Sequence, residues 1–193
     1  MALRLPRQQR GFTLVETMTV VVIVGILATL AVYGVRRYVY SAKSSEARGI
    51  ILNIKASEEA YREETYQYLA TATDISGTSE LYPHVCLGKV PGQFKLSWEQ
   101  ADSCAKVKLM HTLGVTSTNP VQYGYAVGVP SAPGAAMPTL PLKKTAFNWG
   151  TQATPNGPAY AVIAMGDLDG NGTFSVFVGS NFTDEIYAEN EDE

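Results

Sequence analysis

Three sets of side chains in this chain have the types and spacing to do chemistry. The first is Glu16, the one charged residue within the apolar run 12–35. A carboxylate inside a lipid-facing segment costs roughly 2.5–3.5 kcal/mol and calls for a specific cationic partner, unless it snorkels to the nearby headgroups. The second is Asp167-x-Asp169-x-Asn171-Gly172. Alternating carboxylate and amide oxygens before a glycine imitate the first half of a calcium loop. The bidentate glutamate that would complete such a loop is replaced by Val178, and the same residues also build ordinary hairpin turns. Turn and calcium site both stay open. The third set is His84 and Cys86 with Cys104 and His111, which could make a disulfide, a zinc set or free thiols. An exported chain favours the disulfide, because periplasm and cell surface are oxidising. No nucleophile elbow, phosphate loop or His-Glu-x-x-His stands beside these sets, so nothing in the motifs points to an enzyme.

Each set needs an element to hold it. At about 1.5 Å per residue, a helix over 12–35 is on the order of 36 Å long, enough for the ~30 Å core of a bilayer. Arg4, Arg7 and Arg10 precede it with no acid among them, which predicts a cytoplasmic N-terminus and the rest of the chain across the membrane. No proline intervenes between Pro6 and Pro83, and the helix is expected to run on to about Leu69. Its second half turns amphipathic: Ala47, Ile50, Ile54, Tyr61, Thr65 and Tyr68, joined by Ile51, share one face. Glu46, Lys55, Glu58, Glu59, Arg62, Glu63 and Glu64 are assigned to the polar surface. Tyr33, Tyr38 and Tyr40 read as anchors at the membrane edge.

Beyond the helix, 70–82 reads as a loop, and 94–98 and 105–109 as short strands bracketed by the cysteines. The period-two run from Val121 to Val129 is the clearest strand, followed by a proline-rich loop over 130–141. Strands at 160–165 and 174–178 flank the glycine-rich turn that carries Asp167, Asp169 and Asn171. The final stretch, ending in Glu189 and Glu193, reads as a frayed acidic tail. The pattern predicts an α+β fold, a long helix laid on an antiparallel sheet of about four strands.

The chain's 193 residues suffice for one globular domain beyond the apolar segment. A net charge of −3 argues against a nucleic-acid partner, although Lys89, Lys95, Lys106 and Lys108 could form a local basic patch.

The run Gly11-Phe12-Thr13-Leu14-Val15-Glu16 closely resembles the processing motif of type IV prepilins and pseudopilins, and the likeness extends through Gly25, Ile26, Leu27 and Ala28. The resemblance implies a leader over 1–11, removed by prepilin peptidase between Gly11 and Phe12, with methylation of the new Phe12 amine. It implies an assembly helix over 12–35 and a periplasmic or extracellular pilin head over 36–193. Glu16 then pairs with the Phe12 amine of a neighbouring subunit. The implied partners are identical or related pilin subunits and the inner-membrane pilus assembly machinery. The implied function is a pilus subunit supporting motility or adhesion. A pseudopilin of a type II secretion system, or a minor pilin acting as an adhesin or DNA-capturing module, is the alternative. The family usually has a proline after the Gly25-Ile26-Leu27 run, where this chain has Tyr33-Gly34. No resident cofactor is implied, apart from calcium in some pseudopilins.

Overall fold

A computed structural model describes residues 11–101, 103–143, 149 and 153–191 of the chain. The basic leader residues Arg4, Arg7 and Arg10 and the terminal Asp192 and Glu193 lie outside the described residues. The chain divides into two compact units, Met1–Val39 and Tyr40–Glu193.

Helix α1 spans Leu14–Thr65, and its hydrogen bonding is unbroken at Tyr33-Gly34. A glycine weakens a helix without removing an N–H, whereas a proline would take one away. The helix stops at Thr65 and not at Leu69, because Tyr66 takes a left-handed φ of 62°. Glu58 accepts the Leu69 N–H at 2.9 Å and so holds the returning chain against the helix.

In the second unit, four strands form one antiparallel sheet in the order β1 (Gly124–Gly128), β2 (Ala161–Gly166), β3 (Ser175–Ser180), β4 (Thr183–Glu189). Sheet and helix together make the α+β architecture that the pattern predicts. Gly124 pairs with Met165, Ala161 with Ser180, and Val178 with Tyr187, the last next to a β-bulge. One sheet face, with Tyr125, Val127, Val162, Ala164 and Phe177, packs under Ala47, Ile51 and Ile54 of α1. A side chain at Gly179 would bring its Cβ within 2.8 Å of Ile51, so this glycine sets how closely helix and sheet approach. The opposite face carries Ala126, Ile163, Met165, Val176 and Val178 under the irregular segments that supply Ile75, Leu81 and Met137. A sheet covered on both sides explains why β1, β2 and β3 are buried along their whole length.

Several sequence expectations are corrected. Residues 94–98 form no strand; only Leu96 makes an isolated bridge, to Val121. The stretch predicted as a strand over 105–109 is helix α2, Ala105–Thr112, because Val107 and Met110 are the pair it buries, three residues apart. The supposed acidic tail includes strand β4, whose Glu189 is buried. The buried face of α1 runs Ser44, Ala47, Ile51, Ile54, Glu58, with Ile51 central in place of Ile50. Glu58, expected on the polar surface, is fully enclosed, while Thr65 is exposed.

Candidate functional site

The start of α1 is built by Thr13 and Glu16. The Thr13 N–H donates to Glu16 Oε2 at 2.9 Å, and the Thr13 hydroxyl donates to the same oxygen at 2.8 Å. In return the Glu16 N–H reaches Thr13 Oγ1 at 3.2 Å. This is a reciprocal capping box, which satisfies two of the N–H groups that a helix start leaves without intrahelical partners. Thr13 is the capping residue that sequence reasoning passed over. Its signal was present as Thr-x-x-Glu directly before an apolar run.

Further along, the Thr17, Thr19 and Thr29 hydroxyls donate back to the carbonyls of Leu14, Val15 and Ile26 at 2.7–2.8 Å. Polar side chains are thus satisfied within the helix itself, as a hydrocarbon surrounding demands. Every residue from Gly11 to Val39 is exposed, Phe12 to 86%. A continuous apolar surface of that size marks contact with lipid or with other protein. Tyr33 and Tyr38 are exposed on it, and Tyr40 begins the next unit with the Lys43 ammonium 5.6 Å from its ring centre.

In the second unit the remaining candidates separate. Cys86 and Cys104 form a disulfide with Cα atoms 5.5 Å apart, tying the turn His84–Leu87 to the start of α2. Joined in this way, neither cysteine presents a thiolate. His84 is buried against the Phe94 carbonyl at 3.2 Å, and burial lowers its pKa; His111 sits 3.4 Å from Glu99. Lys106 bonds Glu80 at 2.7 Å and the Thr71 carbonyl at 2.6 Å, so it is not part of a free basic patch. That ion pair holds the Glu80 carboxyl down at about 2.

Asp167, Asp169 and Asn171 form a turn satisfied from within. Asp167 accepts the N–H groups of Gly170, Asn171 and Gly172 at 2.8–3.1 Å. Asp169 accepts from the Asn171 N–H and side-chain amide, and Asn171 Oδ1 from the Thr173 N–H. These oxygens face N–H donors, and among the described residues no three His, Cys, Asp or Glu side chains converge on a common point.

A long apolar helix whose later turns pack on a four-stranded antiparallel sheet is the pilin fold. The prokaryotic N-terminal methylation motif matches residues 6–32. Over 65 residues the chain is 46% identical to the type II secretion system core protein G of Pseudomonas aeruginosa. That alignment covers 34% of this chain and 46% of the relative, so the match spans about half the relative's length. No solved structure matches the chain significantly. The likeness to known proteins thus lies in the N-terminal part of the chain, in a prepilin-type methylation motif and a segment shared with a type II secretion core protein.

Proposed function

We propose that this chain is a structural subunit of a type IV pilus, cut between Gly11 and Phe12, methylated on Phe12 and polymerised through the apolar part of α1. The observation that carries this reading is the exposed apolar stretch of α1 up to Val39, with one capped carboxylate at its start. Before assembly the helix lies in the inner membrane, with the basic leader held at the cytoplasmic face and the head across the bilayer. During assembly, apolar stalks bury against one another and the filament interior replaces lipid as the apolar solvent.

Glu16 Oε2 is held by Thr13 in the single subunit. Cleavage creates a free amine at Phe12, one residue before the cap, and a neighbour's amine is the cation that reaches Glu16 in the filament. Such a buried ion pair sets register, since a subunit out of step leaves both charges unpaired. A second reading, a pseudopilin of a type II secretion system, is favoured by the name of the relative alone. Sheared extracellular fibres made of this subunit support the pilus; a subunit that stays in the cell envelope of a secreting strain supports the pseudopilus.

The deciding measurement for processing is the intact mass and first residue of the assembled subunit. The expected result is a chain beginning at methylated Phe12. Assembled subunit beginning at Met1 or Ala2 overturns the reading.

A further inference from the structure

Along α1 the second unit has two ends. Near one, Glu58 accepts the Leu69 N–H, and the Thr71 and Ala72 N–H groups take the Val127 carbonyl. Near the other, Glu46 accepts the Gln122 N–H at 2.7 Å. At about 1.5 Å of rise per residue, the two glutamates stand about 18 Å apart along the helix. The segment 87–95 lies at the Glu46 end. The Gly92 N–H bonds the Gln122 carbonyl at 2.8 Å, Leu96 pairs with Val121, and Lys95 lines a cavity with Ser45, Glu46 and Ile50. This is also the end at which the chain enters the unit, since Tyr40 follows directly on the exposed apolar stretch.

Apolar side chains of this segment face solvent: Leu87 is 53%, Val90 43% and Phe94 49% exposed. Among the described residues of the unit, the other large apolar residues so exposed are Leu52 in α1 and Tyr66 just past its end. The segment's backbone is pinned. The disulfide at Cys86 precedes it, the Asp167 N–H bonds the Pro91 carbonyl at 2.9 Å, and the His84 ring reaches the Phe94 carbonyl at 3.2 Å. Gly92 lies so close to the Asp167 backbone that no Cβ fits between them. A surface held this way loses little further freedom when it docks. Lys89 places its ammonium 5.2 Å from the Phe94 ring centre. An aromatic ring with an ammonium beside it suits the boundary of a bilayer, the ring at headgroup level and the ammonium among phosphate oxygens.

We propose that the segment 87–95 docks on the phospholipid surface of the membrane that anchors the chain before assembly, with Leu87, Val90 and Phe94 entering the headgroup boundary and Lys89 meeting lipid phosphate. The proposal rests on the membrane-anchored reading above. Size favours lipid over a protein partner. Three half-exposed side chains offer roughly 250 Å², well short of the ~800 Å² that each partner buries in a stable protein contact. A chain already held in the membrane by its apolar run needs no such area, because the tether keeps the surface at high effective concentration beside the lipid. The docked head is then a resting state, which a subunit leaves when it enters a filament.

The test uses the full chain reconstituted into vesicles of phosphatidylethanolamine and phosphatidylglycerol. A photo-crosslinking residue is placed at position 94 in one preparation and at position 52, exposed on α1, in another. Lipid adducts at position 94 are expected to exceed those at position 52 by about fivefold or more, as for a group seated at the interface. A second pair of preparations carries the crosslinker at position 87, with and without V90S/F94S. The double variant removes apolar surface that the fold does not bury, and is expected to lower lipid labelling by about fivefold. Equal labelling at 94 and 52, or labelling at 87 untouched by V90S/F94S, overturns the proposal. So does predominant labelling of another copy from position 94, which would make the segment a contact between subunits. Flotation of the vesicles separates the two readings. Chain that floats with lipid yet gives any of these contrary results leaves the anchored reading standing, whereas chain that does not float defeats that reading and the docking surface with it.

Discussion

The two halves of α1 obey one helical geometry and meet opposite fates. From Leu14 to Val39 no residue is buried, although most are Val, Ile, Leu or Ala. From Tyr40 to Thr65 the helix is more polar, yet Ala47, Ile51 and Ile54 are fully buried on one face. An apolar stripe about a third of the way round a helix can be covered by one sheet. A helix apolar on every side cannot be covered by its own chain at this length, and needs lipid or several other helices. The second half therefore finishes its folding within the subunit, while the first is left to its surroundings.

The largest effect should come from the carboxylate of the exposed half. Glu16→Ala and Glu16→Gln are both expected to insert and be cut, yet to lower the fibre-to-membrane subunit ratio about 100-fold, as loss of one member of a buried ion pair does. Gln keeps the volume and an acceptor, so it separates charge from shape. Equal ratios for wild type and both variants would assign Glu16 to helix capping alone.

Paired truncations sharpen the contrast between the halves. Ile54→Ala opens a cavity beneath the sheet and should destabilise the second unit by roughly 2–5 kcal/mol in detergent-solubilised chain. Val22→Ala, the same kind of change in the exposed half, should shift that transition by less than about 0.5 kcal/mol. Similar losses from both would erase the distinction.

Glu58 tests the buried half through pH. Burial lifts its carboxyl from the ordinary 4.5 to about 7, opposed by the Leu69 N–H bond and assisted by neighbouring Glu59. Arg62 is engaged with Glu59 and the Tyr68 hydroxyl, and the Tyr160 ring lies edge-on to Tyr68. Between these two pKa values the folded chain keeps a proton that the unfolded chain has lost. Stability is therefore greatest below about pH 4.5 and falls as pH rises to about 7, by up to roughly 3 kcal/mol from this group. Melting measured at about pH 5 and about pH 8 should show that fall in wild type and a smaller one in Glu58→Gln. An unchanged pH slope in the variant would remove Glu58 as its source.

The smallest effect belongs to Thr13. Thr13→Ala removes the cap hydroxyl and should cost about 1 kcal/mol, read as faster amide exchange confined to the first turn of α1. Uniform exchange along the helix in both proteins would show that the cap contributes nothing there.

Much of this was local and hence readable in the residues. The apolar run, the leader-like charge pattern, the Thr-x-x-Glu cap and the glycine-rich turn each depend on neighbours within a few positions. The period-two residues around Tyr125 likewise marked β1. What sequence periodicity could not decide was which polar residues would be enclosed and which short segments would be strands. Glu58 looks like its neighbours Glu59 and Glu63, and only the chain returning through Leu69 buries it. The residues of α2 hold a β-branched valine between lysines and read as a strand, until the disulfide and the buried Val107 and Met110 favour a helix. Strand β4 is acidic and half exposed, and it exists because β3 offers a row of backbone partners. Local patterns are set by residues that neighbour one another in the chain, whereas burial and strand pairing depend on residues brought together only by folding.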